Sequence, residues 1–159
     1  MWSKFNKLYY YKQGYLRTSS DSYDLTNLEE NYIHLTNNCL QKHGNKYGIF
    51  EDGNTISFGD FKKYLNERYP DIPINFEQHI ISRIKDLVID CYLSVKDSLN
   101  QKKRRNCFEL LGFDFLVDED FRVWLIEVKI NRWIIIPILE YQINSSHKYF
   151  LKWLKIYFK

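Results

Sequence analysis

Two hydrophobic periods run along the chain, and they separate its helices from its strands. Residues 8–17 are crowded with aromatic and apolar side chains, with Gly14 near the end, and predict one or two short strands. Residues 18–30 are polar and turn-rich and read as a loop. The stretch IHLTNNCL (residues 33–40) reads as a strand running into a loop that continues through HGNKYG and EDGN. Two helices follow. Ser57 with Asp60 gives a capping signal, and Phe58, Phe61, Tyr64 and Leu65 share one helical face until Pro70 closes the segment. Asn75 and Gln78 open the next helix, in which Ile80, Ile81, Ile84, Leu87, Val88, Cys91 and Val95 keep helical spacing over several turns.

The period then drops to two. Residues 108–117 and 121–128 predict a pair of antiparallel strands around the acidic turn Asp118-Glu119-Asp120. Beyond Ser145, Tyr149, Phe150, Trp153, Leu154 and Tyr157 fall on one helical face, with Lys148, Lys152, Lys155 and Lys159 elsewhere. This predicts an amphipathic helix, packed on the domain or, alternatively, laid on a membrane surface. The fold class expected is α+β, an antiparallel sheet with packed helices in a single domain.

Composition narrows the classes. With 159 residues, 45% hydrophobic and 27% charged, the chain can bury one core and is ordinary for a soluble protein. A net charge of +3 is too small to argue for nucleic acid. Cys39, Cys91 and Cys107 are odd in number and widely spaced, which fits a reducing compartment better than a disulfide or zinc framework. The first residues lack the apolar core of a signal peptide. The apolar run at residues 133–139 contains Pro137 and is too short to span a bilayer. The expectation is a soluble cytoplasmic protein with no membrane partner.

Two carboxylates interrupt the hairpin. Strand alternation places Asp114 with Phe108, Leu110 and Gly112, and Glu127 with Val123 and Leu125. A connecting loop of even length would bring the two acids onto one face, whereas a three-residue loop without a bulge would separate them. Acids on one face repel and need a cation between them. Magnesium bridging nucleotide phosphates is one candidate. The other reading pairs them with Lys129 or Arg122, and spacing leaves both open.

Three blocks carry a resemblance. GYLRTSSDSY, HLTNNCLQKHGNKYG and FELLGFDFLVDEDFRVWLIEVK, in that order over residues 7–129 or so, resemble the tubulin-tyrosine ligase family. HLTN, CLQK and EDGN resemble the tyrosine ligase itself more than the polyglutamylases and polyglycylases. The resemblance implies the C-terminal part of an ATP-grasp fold. It also implies a reaction in which ATP phosphorylates the C-terminal carboxylate of the α-tubulin tail, and the amine of free tyrosine (or of glutamate, in related enzymes) attacks the acyl phosphate. By that resemblance Asp114 and Glu127 ligate magnesium, Arg17 contacts the transferring phosphate, and Thr36 and Asn37 supply hydrogen bonds beside it.

The chain also departs from the family pattern. The family reads Glu-Val-Asn where this chain reads Glu127-Val128-Lys129, so an ammonium stands where a metal or phosphate is expected; Asn131 is the nearest asparagine on that face. Lys129 would then pair with Glu127 or contact a phosphate directly. Only sixteen residues precede Arg17, leaving the N-terminal lobe and its adenine pocket without a counterpart. Residues 1–159 are therefore expected to form a partial domain with a divergent tail at 130–159 and little or no catalysis alone. The alternatives are an inactive module that binds the tubulin tail, a glutamate ligase, or a nonfunctional remnant. Lys102, Lys103, Arg104 and Arg105 would attract an acidic tail or simply form a solvated loop. Location at microtubules or cilia is expected from the family alone.

Overall fold

The computed structural model describes residues 7–99, 101–102 and 109–130, and the backbone of 148–158. Six strands form one sheet: β1 (Lys7–Tyr10), β2 (Tyr15–Arg17), β3 (Thr55–Ser57), β4 (Leu110–Val117), β5 (Val123–Ile130) and β6 (Lys148–Phe158). Their order is β3-β2-β6-β4-β5, with β1 also beside β6. The α-helices are α1 (Asn31–His34), α2 (Asn38–Gln41), α3 (Phe58–Arg68) and α4 (Ser82–Val95). The α+β class is as expected, but the sheet is mixed rather than antiparallel. Strand β6 runs parallel to β1, β2 and β4, while β2–β3 and β4–β5 are antiparallel pairs.

Two expectations of secondary structure are overturned. The tail predicted as an amphipathic helix is the central strand β6. Its sequence is rich in aromatics, which suit strands, and its partners β2 and β4 are far away in the chain, so a local helical-face count cannot register them. The stretch predicted as a strand at residues 33–40 instead holds parts of two helical turns. The Glu30 side chain accepts from Tyr32 N to start α1, and Asn37 Oδ1 accepts from Cys39 N to start α2. Polar side chains compete for nearby backbone donors, as Asn37 does here, and they outweigh a brief apolar run.

The two long helices follow their sequence signals. Ser57 Oγ accepts from Asp60 N at 3.1 Å and donates to Asp60 Oδ2 at 2.6 Å, fixing the start of α3. Asn75 Oδ1 accepts from Gln78 N, and the first turn beyond it, Phe76–Ile81, is π-helical before α4 begins. One face of the sheet carries Leu16, Phe113, Phe115, Val117 and Val123. It packs on Phe61 and Leu65 of α3 and on Phe76, Ile80, Ile81, Ile84 and Val88 of the second helical segment. Gly14 lets the Phe58 ring approach, since a Cβ there would lie 2.1 Å from it. The strand residues of this core lie on one side of the sheet; the other side carries Asp114 together with the apolar Leu110 and Leu116.

Candidate functional site

Asp114 and Glu127 are direct cross-strand partners in β4 and β5. They meet in an unexpected way. The loop between Val117 and its partner Val123 has five residues, an odd length that would put the acids on opposite faces in a regular ladder. Between Asp114 and Phe115 the register shifts by one: Phe115 pairs with Leu125 and Asp114 with Glu127, leaving Ile126 as a bulge. The predicted grouping of Glu127 with Val123 and Leu125 is therefore corrected. Those two face the helices, and the bulge turns Glu127 to the opposite side, beside Asp114. The alternation of VWLIEVKI in fact slips at Leu125-Ile126, which is where the bulge forms.

A cation stands between the acids, and it is Lys129. Its Nζ donates to Asp114 Oδ2 at 3.2 Å and also pairs with Glu127 Oε1. Asp114 is 3% exposed, whereas Glu127 and Lys129 reach the surface. Lys129 is the cross-strand partner of Gly112. The hydrogen bond to Glu127, followed by that to Asp114, raises the ammonium's pKa above its ordinary value, so it stays charged throughout the neutral range. Arg122, the other partner considered, is engaged elsewhere. It closes the hairpin turn with Asp118 and Asp120, where Asp118 Oδ2 also accepts from the Trp124 indole at 2.9 Å.

Magnesium, implied by the resemblance, fits this arrangement poorly. It takes oxygen ligands at about 2.0–2.1 Å, and one oxygen of each acid is already bound to an ammonium that has no lone pair to offer. Among the described residues no group of three or more His, Cys, Asp and Glu could hold a metal ion. Asn131, the substitute considered for the missing asparagine, lies outside the described residues, as do Lys103, Arg104 and Arg105.

Arg17, Thr36 and Asn37 are not joined to this cluster by any hydrogen bond or ion pair between described residues. Through β6, Tyr15 lies in the same cross-strand row as Asp114, and Arg17 is two residues further on the same face. Two strand spacings put the Tyr15 and Asp114 backbones about 10 Å apart. The Arg17 guanidinium stacks on the Tyr15 ring at 5.3 Å. Thr36 Oγ1 is buried without a hydrogen-bond partner, and Asn37 Oδ1 is occupied in capping α2.

Two residues that reasoning from the sequence passed over organise the loops. Gln41 is fully buried: its Oε1 accepts from Ser20 N and Oγ, and its Nε2 donates to the carbonyls of Tyr32 and Leu35. Asn54 Nδ2 donates to Ser20 Oγ at 2.8 Å, and Asn54 Oδ1 accepts from Gly48 N. Gly53 and Asn54 take φ of 59° and 49°, a left-handed pair that glycine and asparagine tolerate best. The words CLQK and EDGN are thus the two halves of one buried polar knot, tying the segment after Arg17 to α2.

The profile of the tubulin-tyrosine ligase family matches residues 4–131, a span that holds Arg17, the polar knot and the whole β4–β5 hairpin. The chain belongs to the tubulin-tyrosine ligase family. Similar proteins include tubulin glycylase 3B of Tetrahymena thermophila, 29% identical over 143 residues, which are 89% of this chain and 11% of the relative. Tubulin glycylase 3E of the same organism is 34% identical over 125 residues, 79% of this chain and 8% of the relative. Probable tubulin polyglutamylase TTLL2 of Homo sapiens is 33% identical over 125 residues, 76% of this chain and 20% of the relative. This member of the tubulin-tyrosine ligase family thus spans 8–20% of the length of these three relatives. Their names are those of glycylases and a polyglutamylase, so they do not support the expected leaning toward the tyrosine ligase itself.

Proposed function

We propose that this chain is part of an ATP-dependent ligase that joins an amino acid to tubulin, through the ATP-grasp fold its family implies. Glycine and glutamate are favoured over tyrosine, because they are the amino acids that the names of its relatives point to. The observation that carries the reading is the Asp114–Glu127 pair, set opposite one another on the sheet face that also holds Arg17, inside the family match. Transfer of a phosphoryl group to a carboxylate depends on positioning and on positive charge near the phosphates. Arg17, with a planar fork suited to phosphate oxygens, lies on the sheet face that holds this pair, which supports its assignment to the transferring phosphate. The unpartnered hydroxyl of Thr36 supports a hydrogen-bonding role toward a ligand. For Asn37 only the side-chain amide remains uncommitted.

The test is incorporation of labelled glycine, glutamate or tyrosine into tubulin by this chain with ATP. Whatever incorporation occurs should be of glycine or glutamate, and Arg17→Ala should cut its rate by about a hundredfold or more, as loss of a transition-state charge partner does. Incorporation of tyrosine alone would overturn the choice of amino acid. No incorporation of any of the three would favour a second reading, a tubulin-tail-binding module without catalysis, for which the ammonium at the acid pair is the supporting observation. Capture on tubulin tails without ATP checks that reading.

A further inference from the structure

We infer that Lys129 is a built-in counter-ion that takes the place of a divalent cation, so that the Asp114–Glu127 pair binds no metal. The inference rests on the family reading only for the expectation that a metal belongs there. Three observations carry it. The ammonium contacts both acids at once, with Asp114 Oδ2 at 3.2 Å. Asp114 is 3% exposed, so its carboxyl group needs a partner, and Lys129 already serves. Lys129 also comes from the pleat directly beside Glu127, on the same face, opposite a glycine. The tether makes the cation local at every moment, whereas a free ion must be captured from solution.

Charge counting gives the consequence. Two carboxylates and one ammonium leave a net charge of −1, and an incoming divalent ion would meet a fixed positive charge within contact distance of both ligands. It would have to displace the ammonium, which the side chain keeps tethered within reach of both acids. Replacing Lys129 with asparagine removes the charge and adds a carbonyl oxygen, restoring a donor set that suits a hard cation.

The experiment uses the whole chain and no ATP or tubulin, so its failure is distinct from failure of the ligase reading. Manganese is titrated by electron paramagnetic resonance into the native chain, into Lys129→Asn and into Lys129→Asn combined with Asp114→Asn. Lys129→Asn should bind manganese about tenfold or more tightly than the native chain, and the added Asp114→Asn should abolish the gain. Equal affinity in the native chain and Lys129→Asn would overturn the inference, as would no gain in a folded Lys129→Asn. A second measurement needs no variant: thermal melting of the native chain in magnesium or in chelator. The inference expects coincident curves, and a saturable shift with magnesium that disappears in Asp114→Asn would overturn it.

Discussion

Gln41 shows how much one buried amide can organise. It accepts two hydrogen bonds from Ser20 and donates two to backbone carbonyls, and it is completely enclosed. Gln41→Leu would strand the Ser20 amide and the carbonyls of Tyr32 and Leu35. At about 1–3 kcal/mol for each orphaned group, partly relieved by relaxation, the loss should be about 3 kcal/mol or more, measured as a shift in the urea midpoint at constant slope. A surface substitution such as Lys42→Leu next door should change little. At this scale the sequence was only half legible. Asp114 and Glu127 stood out because acids in an apolar hairpin need an explanation. Gln41 did not, because burial depends on what folds over it, and nothing local marks that.

The β4–β5 hairpin and α3 were the most legible elements, since their signals are local: a cap at Ser57, a helical stripe, an acidic turn between period-two runs. The second strand of the hairpin begins at Val123 rather than at residue 121, because Asp118 organises a longer turn than its sequence suggests. Its carboxylate accepts from the Trp124 indole and from the Arg122 backbone and side chain, and these bonds lower its pKa below the ordinary 3.8, the indole contributing most. A lowered acid stabilises the fold above its unfolded value and loses that contribution as pH falls through the folded one. The turn should therefore stay closed at neutral pH and loosen only below about pH 4. The Trp124 indole N–H resonance should report this by moving toward its free position on acidification, and Asp118→Asn should blunt the change. The misread elements were those set by partners distant in sequence or by side-chain caps: β6 by β2 and β4, α1 and α2 by Glu30 and Asn37.

At the scale of the whole molecule, β6 joins two parts of the sheet that share no other hydrogen-bonded strand among the described residues. On one side of it lie β1 and β2, with β3 beyond, and on the other lie β4 and β5. Removing residues 148–159 would leave β2 and β4 without a shared neighbour and open the sheet side of a core that includes Leu16 and Phe115. Such a truncation should lose its single cooperative melting transition and bind a hydrophobic dye, whereas the intact chain should melt in one step. The two hydrophobic periods had indicated the α+β class of this molecule. They could not show that its last residues run through its middle, because a parallel pairing across more than a hundred residues has no local trace.

The bulge at Ile126 has one more consequence, for how this chain tolerates changes in its length. Two residues of β5 share one place opposite Asp114, so one of them is surplus to the ladder. Deleting Ile126 would let the strand run straight, and Asp114 would still face Glu127. Deleting Val128, only two positions later, would turn Lys129 toward the helices and strip the acids of their cation. Loss of one codon is thus nearly silent at the first position and ruinous at the second.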